Sequence, residues 1–381
     1  MKTLMSAYQC EPDRGSEFEV GWQIMRSCAA SCSELTVVTR SLSRHNSEPG
    51  IVKLGIRNTR FIYYDLPPWL ASREGTLLGG QIVPYCWEIG LFFFLLRRYK
   101  RNQFDLAHRA TVGSYRFPSL LWYFSRQFTW GPMASGEVVP FRLLSVLSWK
   151  GRVLEVVRML VQHLLLLDPL VLLSLYKADK ITVVTSATKK ILPGFARRKA
   201  TVIEYLIIDA KDFTVDLPLG NHDNDHKLKL LYAGRILEWK GIMFVLKALK
   251  QLRGKLDYEF NVVGDGPDRD FLQEYVRKHQ LKVNFLGRKP RGELSTYYLT
   301  HHVFVGTDLH GRGSNAIIEA KMHQLPVLLL DISYPDEQTG KDLNIVIDTQ
   351  RKSVNEIIEN ITVELLALQK KAASKNSYGV S

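Results

Sequence analysis

Two glycine turns with nearby cations form the part of the sequence best suited to bind a phosphate. The first follows an apolar run and contains Gly234, with Arg235 and Lys240 shortly after it. The second follows another apolar run and contains Gly264 and Gly266. Glycine lets the backbone approach an anion closely, a helix start offers unpaired N–H groups, and the cations supply full charge. The pattern predicts a phosphate-binding turn, and the simpler alternative is a turn whose cations are merely solvated.

A glycine-rich loop further along the chain would complete such a site. The pattern after this loop predicts a helix followed by a buried strand. Ser314 or Asn315 would cap the helix, so that its first amides point into the loop. Glu319, about one turn into the helix, could accept hydrogen bonds from the two hydroxyls of a ribose; the alternative is a solvated helix residue. The residues of this loop and helix start include His310, Gly313, Ser314, Asn315 and Ala316.

These segments resemble the nucleotide-binding half of GT-B glycosyltransferases, most closely the large retaining group called family 4. Further segments in the first half of the chain resemble a bacterial branch of that group that builds surface polysaccharides. The matching residues, in chain order, are Ser6–Pro12, Gly15–Trp22, Asp105–His108, Trp130–Glu137, Gly234–Lys240, Gly264–Pro267 and the loop that leads to Glu319.

The resemblance implies an α/β fold of two Rossmann-like domains that face each other across a cleft. The first domain would bind the acceptor and the second a nucleoside diphosphate sugar. The implied reaction is transfer of a hexose to a glycan or lipid-linked acceptor, with retention of configuration. The enzymes of this fold generally need no metal or other cofactor, because cations and helix dipoles stabilise the leaving diphosphate.

The resemblance also assigns roles to individual residues. His108, Arg235, Lys240 and Glu319 would be the catalytic set, with His108 close to the donor sugar at the end of a strand. Gly15 and Ser16 would face the diphosphate together with Gly234, Gly264, Gly266 and the loop residues named above. Gly131 and Glu137 would line the acceptor side.

One position departs from the family pattern. The family usually carries an acid eight residues before Glu319, and this chain has Gly311 there. That acid helps to hold the donor sugar, and glycine has no side chain to replace it. Three alternatives follow: His310 or backbone amides take over the role, the donor sugar differs, or the activity is weak or absent.

Alternating strand and helix patterns over 381 residues predict two domains with parallel sheets. The first domain is predicted at residues 1–211 and the second at residues 227–358. A polar, turn-rich linker at 212–226 would join them, and residues 359–381 would form a C-terminal helix and tail.

Metal sites and nucleic-acid binding find no support in the motifs. The four cysteines lack a paired metal-ligand spacing, and the histidines lack one too. Asp223 and Asp225 form a D-x-D pattern, but it lies in the linker, where a solvated turn is the simpler interpretation. No signal peptide or clean membrane span is evident.

The net charge of +13 suits an anionic membrane surface, since no nucleic-acid motif accompanies it. Trp87 and the apolar run Leu91–Leu96 are followed at once by a cluster of four cations, which is the composition of an interfacial segment. The alternative is a core helix with a solvated basic end. We therefore expect a peripheral protein on the cytoplasmic face of the plasma membrane, attracted by Arg97, Arg98, Lys100 and Arg101.

Two other functions stay open at this stage. A non-catalytic subunit that binds a sugar nucleotide or a lipid-linked glycan would explain Gly311. A phosphorylase or epimerase could use the same scaffold, although no lysine is placed for a pyridoxal cofactor.

Overall fold

Two parallel sheets, each flanked by helices, form the framework of the protein. The computed structural model describes the chain apart from residues 13, 15, 76–78, 135–136, 166, 204–226, 312–314, 334–340 and 378–381, and it describes only the backbone of 16, 161–165, 291, 341 and 371–377. The predicted linker at 212–226 therefore lies outside the described residues, as do Gly15, Gly313 and Ser314.

The strands are short and mostly buried, which is expected for parallel sheets covered on both faces. The first sheet has the order β3-β2-β1-β4-β5-β6-β7, and the second has the order β10-β9-β8-β11-β12-β13. Both orders follow the Rossmann pattern, in which the chain starts in the middle of the sheet and fills it in both directions. The strands are β1 (Lys2–Ala7), β2 (Glu34–Thr39), β3 (Thr59–Tyr63), β4 (Phe104–Thr111), β5 (Ser125–Met133), β6 (Lys180–Val183), β7 (Ala200–Val202), β8 (Leu228–Ala233), β9 (Tyr258–Val263), β10 (Val283–Gly287), β11 (Val303–Gly306), β12 (Val327–Leu330) and β13 (Asn344–Ile347).

Helices connect most of these strands and supply the apolar faces that cover the sheets. The helices are α1 (Ser16–Ser31), α2 (Arg44–Lys53), α3 (Pro68–Ala71), α4 (Gly79–Leu96), α5 (Trp149–Leu165), α6 (Pro169–Lys177), α7 (Ser186–Ile191), α8 (Gly194–Lys199), α9 (Ile242–Gln251), α10 (Arg269–His279), α11 (Arg291–Thr300), α12 (Asn315–Met322) and α13 (Val354–Ser377). The predicted pair of Rossmann-like α/β domains is thus confirmed.

The chain forms two compact units, and the first contains an insertion that belongs to the second. The first unit comprises Met1–Gly136 and Leu160–Ile208, and the second comprises Glu137–Met159 and Asp209–Ser381. Val139, Leu143 and Leu147 are buried in the same core as strands β8 and β9. This differs from the predicted boundaries, which assigned residues 137–159 to the first domain. An apolar segment does not reveal which of two cores it will join.

The C-terminal helix is also part of the second core. α13 begins at Val354, before the predicted boundary at 359, and Ile357, Ile361 and Leu365 are buried against the second sheet's core. Up to residue 370, where the described side chains end, the predicted separate helix is therefore an integral part of the second unit.

α4 packs into the core of the first unit along one side, as the alternative of a core helix predicts, whereas Phe93 and Leu96 are exposed. Its predicted interfacial role stays a prediction. Trp87, Leu91 and Leu95 are buried, and the indole of Trp87 donates a hydrogen bond to the carbonyl oxygen of Tyr64 at 2.9 Å. In the described part of the chain, one helix is long and apolar enough to cross a membrane, and that helix is α4. Its basic end, from Arg97 to Arg101, is exposed apart from Tyr99.

Candidate functional site

The two glycine turns of the second unit lie side by side at the carboxyl ends of β8 and β9. The amide of Gly234 donates to the carbonyl oxygen of Val263 at 2.9 Å, and that of Ile236 donates to Asp265 at 3.0 Å. Gly264 has φ of +131°, and a Cβ atom there would lie 1.9 Å from the carbonyl oxygen of Gly234. Gly264 is therefore required by the contact between the two turns, whether or not a ligand is bound.

In the second sheet the chain first adds strands on one side of β8 and then, from β11 onward, on the other side. Open α/β folds bind ligands at this switch point between β8 and β11. β8 leads to β9 on one side, while β11 pairs with β8 on the other side. The loops after β8 and β11 therefore meet at the carboxyl edge of the sheet. Both predicted cations follow β8, and the predicted donor loop follows β11.

Lys240 is fixed in place by a carboxylate that the sequence analysis missed. Its Nζ atom lies 2.6 Å from Oδ2 of Asp308, which is buried at the end of β11. The ammonium also lies 4.5 Å from the centre of the Trp239 ring. Lys240, which follows β8, is thus paired with a residue that follows β11, and its ammonium group is not simply solvated. Because Asp308 lies two residues after the end of β11, its position at this edge could have been inferred from the strand pattern.

Arg235 differs from Lys240 in being exposed. Its carbonyl oxygen accepts a hydrogen bond from the Tyr232 hydroxyl at 2.8 Å, which fixes the backbone of the turn. Burial raises the pKa of the nearby Asp268, although the positive charge of Arg235 opposes this effect. The turn therefore presents one accessible guanidinium next to a lysine that is already paired.

His310 is enclosed by protein groups and does not face an open pocket. Its ring stacks on Trp239 with the centroids 4.2 Å apart. The Nε2 atom lies 3.1 Å from both carboxylate oxygens of Glu155, and Arg158 lies 3.2 Å from Nδ1. The His310 side chain thus has protein partners around its ring, and its predicted contact with a donor stays a prediction. Its partner Glu155 is 155 residues away in the chain, so no local pattern could reveal it.

Glu319 occupies the inner side of α12, about one turn from its start. The carboxylate is buried, and Oε2 accepts a hydrogen bond from the hydroxyl of Tyr298 at 3.0 Å. The alternative of a solvated helix residue is thus wrong. Asn315 and Ala316 form the first turn of the same helix and are half-buried. Their backbone amides have the position predicted for a helix start that follows the loop after β11.

Of the residues predicted in the first unit, His108 is placed differently from expectation. β4 continues to Thr111, so His108 lies within the strand rather than at its end. Its Nε2 atom lies 2.7 Å from the carbonyl oxygen of Gly131, and Nδ1 lies 3.5 Å from the sulfur of Cys28. Burial lowers the pKa of His108, against the raising effect of the Gly131 bond. Both ring nitrogens thus have partners within the first unit.

Gly131 and Glu137 belong to different units, although they are close in sequence. Gly131 has φ of +133°, and a Cβ atom there would lie 2.3 Å from the carbonyl oxygen of Thr182. Close packing of β5 on β6 therefore explains the glycine. Glu137 is buried and is the first residue of the segment that joins the second unit. Ser16 begins α1, and its side chain is not described.

Helix α5 supports both loops of the candidate site. Near its start, the backbone N–H and the hydroxyl of Ser148 donate hydrogen bonds to the carboxylate of Glu238, two residues before Lys240. Further along the helix, Glu155 contacts His310 in the loop after β11. Glu155 and Glu238 cannot be recognised from the sequence, because their importance depends on how the first part of α5 packs within the second unit.

We expect Glu155→Gln to lower the free energy of unfolding by about 2 kcal/mol at neutral pH, because charged hydrogen bonds are lost. Burial alone would raise the pKa of Glu155, but His310 and Arg158 outweigh it and hold the pKa below its usual value. A carboxyl group with a lowered pKa stabilises the fold above its unfolded pKa of about 4.3, and this contribution is lost at lower pH. Urea unfolding at several pH values measures the effect.

The exposed Glu359 of α13 provides the control, because Glu359→Gln should leave the urea midpoint unchanged. The difference between the natural chain and Glu155→Gln should shrink as the pH falls below about 4. Equal midpoints of the two proteins at neutral pH would show that the contact with His310 does not stabilise the fold.

No group of three or more His, Cys, Asp or Glu side chains with an arrangement suited to a metal ion occurs in the described part of the chain. The candidate site comprises Arg235, the Lys240–Asp308 pair, the first turn of α12 and the buried Glu319.

Known glycosyltransferases are similar to parts of this chain. Residues 220–378 match the family model described as Glycosyl transferases group 1. The chain is 28% identical over 161 residues to a subunit of phosphatidylinositol N-acetylglucosaminyltransferase from Homo sapiens. It is 26% identical over 176 residues to the amylovoran biosynthesis glycosyltransferase AmsD of Erwinia amylovora. These matches cover 42% and 45% of this chain, and 32% and 49% of the two relatives.

The fold as a whole is similar to that of solved glycosyltransferases. The structure of WaaG, a glycosyltransferase involved in lipopolysaccharide biosynthesis, aligns with a TM-score of 0.60 at 13% sequence identity. The alignment covers 99% of this chain and 96% of WaaG. The protein thus has the GT-B type of architecture, built from two parallel-sheet α/β domains.

Proposed function

We propose that the protein is a glycosyltransferase that moves a hexose from a nucleoside diphosphate sugar to a glycan or lipid-linked acceptor. The observation that carries this proposal is the position of Arg235 and the Lys240–Asp308 pair at the switch point of the second sheet. Open α/β folds bind nucleotides there. The match of residues 220–378 to a glycosyltransferase family model supports the same conclusion.

The chemistry of the site fits a leaving diphosphate. When the glycosidic bond breaks, negative charge develops on the diphosphate and positive charge on the sugar ring. Arg235 can contact two phosphate oxygens, Lys240 supplies a fixed positive charge, and the amides of Asn315 and Ala316 add hydrogen bonds. Such preorganised donors stabilise charge that develops during the reaction. No metal is needed for this step in the proposed mechanism.

Retention of configuration is part of the proposal and follows from the resemblance to family 4. The acceptor would attack the same face of the sugar from which the diphosphate departs, and the leaving phosphate would take the acceptor proton. The acceptor hydroxyl loses its proton, the new glycosidic bond forms, and the nucleoside diphosphate is released.

We propose a role in synthesis of a cell-surface polysaccharide, with the protein peripheral to the cytoplasmic face of the plasma membrane. AmsD is named for amylovoran biosynthesis and WaaG for lipopolysaccharide biosynthesis. The name of the human relative includes phosphatidylinositol, which is a lipid. The net charge of +13 would favour an anionic membrane surface.

A second candidate is a subunit that binds a sugar nucleotide or a lipid-linked glycan without transferring the sugar. Gly311 favours it, because the family's acid is missing and His310 is enclosed by Trp239, Glu155 and Arg158. A test that separates the two functions is incubation with radiolabelled UDP-, GDP- and ADP-sugars. Label that leaves the donor identifies an enzyme, whereas donor-induced thermal stabilisation without label release identifies a binding subunit.

We expect Glu319→Ala to weaken donor binding by about 1.5–3 kcal/mol, because charged hydrogen bonds to the ribose hydroxyls would be lost. Titration calorimetry with the donor that best stabilises the natural chain measures this change. Tyr298→Phe is the matched control, since it removes the Tyr298–Glu319 bond but keeps the carboxylate. Unchanged donor affinity in Glu319→Ala would give Glu319 a purely structural role.

A further inference from the structure

Helix α5 buries a charged side chain and exposes apolar ones, which is the opposite of an ordinary surface helix. Glu155 is its most deeply buried side chain among those described, at 3% exposure. Trp149, Val153, Val157 and Leu160 are exposed by 70%, 53%, 46% and 62%. These positions repeat every three or four residues and therefore share one face of the helix. An exposed apolar stripe of this length normally marks an interaction surface.

The contacts of α5 fix this stripe in its outward position. Glu238 accepts two hydrogen bonds from Ser148 just before the helix begins. Glu155 and Arg158 contact His310 on the opposite side from the stripe. Rotation of the helix to bury the apolar side chains would break both sets of contacts.

The exposed charges on the segment from Glu137 to Leu160 are all positive. Between Glu137 and Leu160 the acids are Glu137 and Glu155, and both are buried. Lys150 and Arg152 are exposed on the same segment. Burial lowers the pKa of the neighbouring Lys247 of α9, and the positive charge of Arg152 lowers it further. The surface thus combines exposed apolar side chains with exposed cations and lacks an exposed carboxylate on this segment.

We propose that the outer face of α5 docks the protein on an anionic lipid bilayer. Trp149 suits the level of the lipid headgroups, because tryptophan is enriched at membrane interfaces. Val153, Val157 and Leu160 would insert below that level, and Lys150 and Arg152 would contact anionic headgroups. Phe141, which is also highly exposed, lies in the same segment. The inference deepens the proposed membrane association by naming its surface, and it replaces α4 as the apolar contact.

Flotation of the full chain with lipid vesicles tests this surface. Vesicles of phosphatidylcholine with phosphatidylglycerol are compared with vesicles of phosphatidylcholine alone. The triple variant Trp149→Ser/Val153→Ser/Val157→Ser should bind the anionic vesicles roughly tenfold or more weakly than the natural chain. The variant Lys150→Glu/Arg152→Glu keeps the apolar stripe and should also bind anionic vesicles more weakly.

The control removes equally exposed apolar side chains elsewhere, in Trp69→Ser/Phe93→Ser/Val363→Ser. It should float like the natural chain, and thermal unfolding should confirm that all variants are folded. Equal flotation of the α5 variants and the natural chain would overturn the proposal, as would loss of flotation in the control alone. Concentration-dependent dimers that the α5 triple variant abolishes, without vesicle binding by the natural chain, would assign the face to a second copy instead.

The outcome does not depend on the proposed reaction. Sugar release from a soluble donor can be measured without vesicles, so failure of the membrane contact and failure of the glycosyltransferase proposal give different results.

Discussion

Lys240→Ala should lower the rate of sugar transfer by about 100-fold or more, because one preorganised cation is removed from the leaving diphosphate. A rate loss of this size corresponds to about 2.7 kcal/mol of transition-state stabilisation. The initial rate of label release from a radiolabelled donor measures it. Lys250→Ala, an exposed lysine on α9, is the control and should leave the rate unchanged.

A structural effect of Lys240→Ala must be separated from a catalytic one. The substitution leaves the buried carboxylate of Asp308 without its ion pair, which costs stability by itself. The double variant Lys240→Ala/Asp308→Asn removes that uncompensated charge. We expect its thermal stability to return toward that of the natural chain while the transfer rate stays low. Recovery of the rate together with stability would assign Lys240 a purely structural role.

Arg235→Ala should also lower the rate of sugar transfer by about 100-fold, because it too removes a cation from the leaving diphosphate. The guanidinium is exposed at the turn after β8, where it can contact two phosphate oxygens. Because Arg235 is exposed, the fold should lose little stability. Arg235→Lys should recover only part of the rate, since lysine cannot form the paired contact.

Arg277→Ala on α10 is the matched control for Arg235, because both arginines are exposed and only one lies at the site. Donor affinity from calorimetry and the rate of label release are measured for each protein. Transfer by Arg235→Ala at the natural rate would remove Arg235 from the site.

In the second unit, the glycine turn and its cations could be predicted from the sequence, whereas the contacts of His310 could not. Strand β8, Gly234 and the two cations were visible because strand patterns and glycine turns are local. The Lys240–Asp308 pair joins residues 68 positions apart, but both follow strands, and so it lay within reach of sequence reasoning. The enclosure of His310 by Glu155 and Arg158 could not be inferred from the sequence, because it depends on how α5 packs.

The first half of the chain was harder to predict for a physical reason. Residues 137–159 have no local mark that distinguishes one core from the other, and tertiary packing places them with the second unit. The same applies to α4, whose composition suits either a membrane interface or a core. The resemblance predicts His108 at a strand end, but β4 continues three residues beyond it to Thr111.

The most direct test of the proposed function follows radiolabel from UDP-, GDP- and ADP-sugars in the presence of a bacterial lipid extract. The natural chain and Arg235→Ala/Lys240→Ala are compared at equal concentration. We predict that the natural chain moves label from at least one donor to lipid or water, with release of the nucleoside diphosphate, and that the double variant loses this activity. Saturable donor binding by calorimetry without any movement of label, or equal label movement by both proteins, would contradict the account.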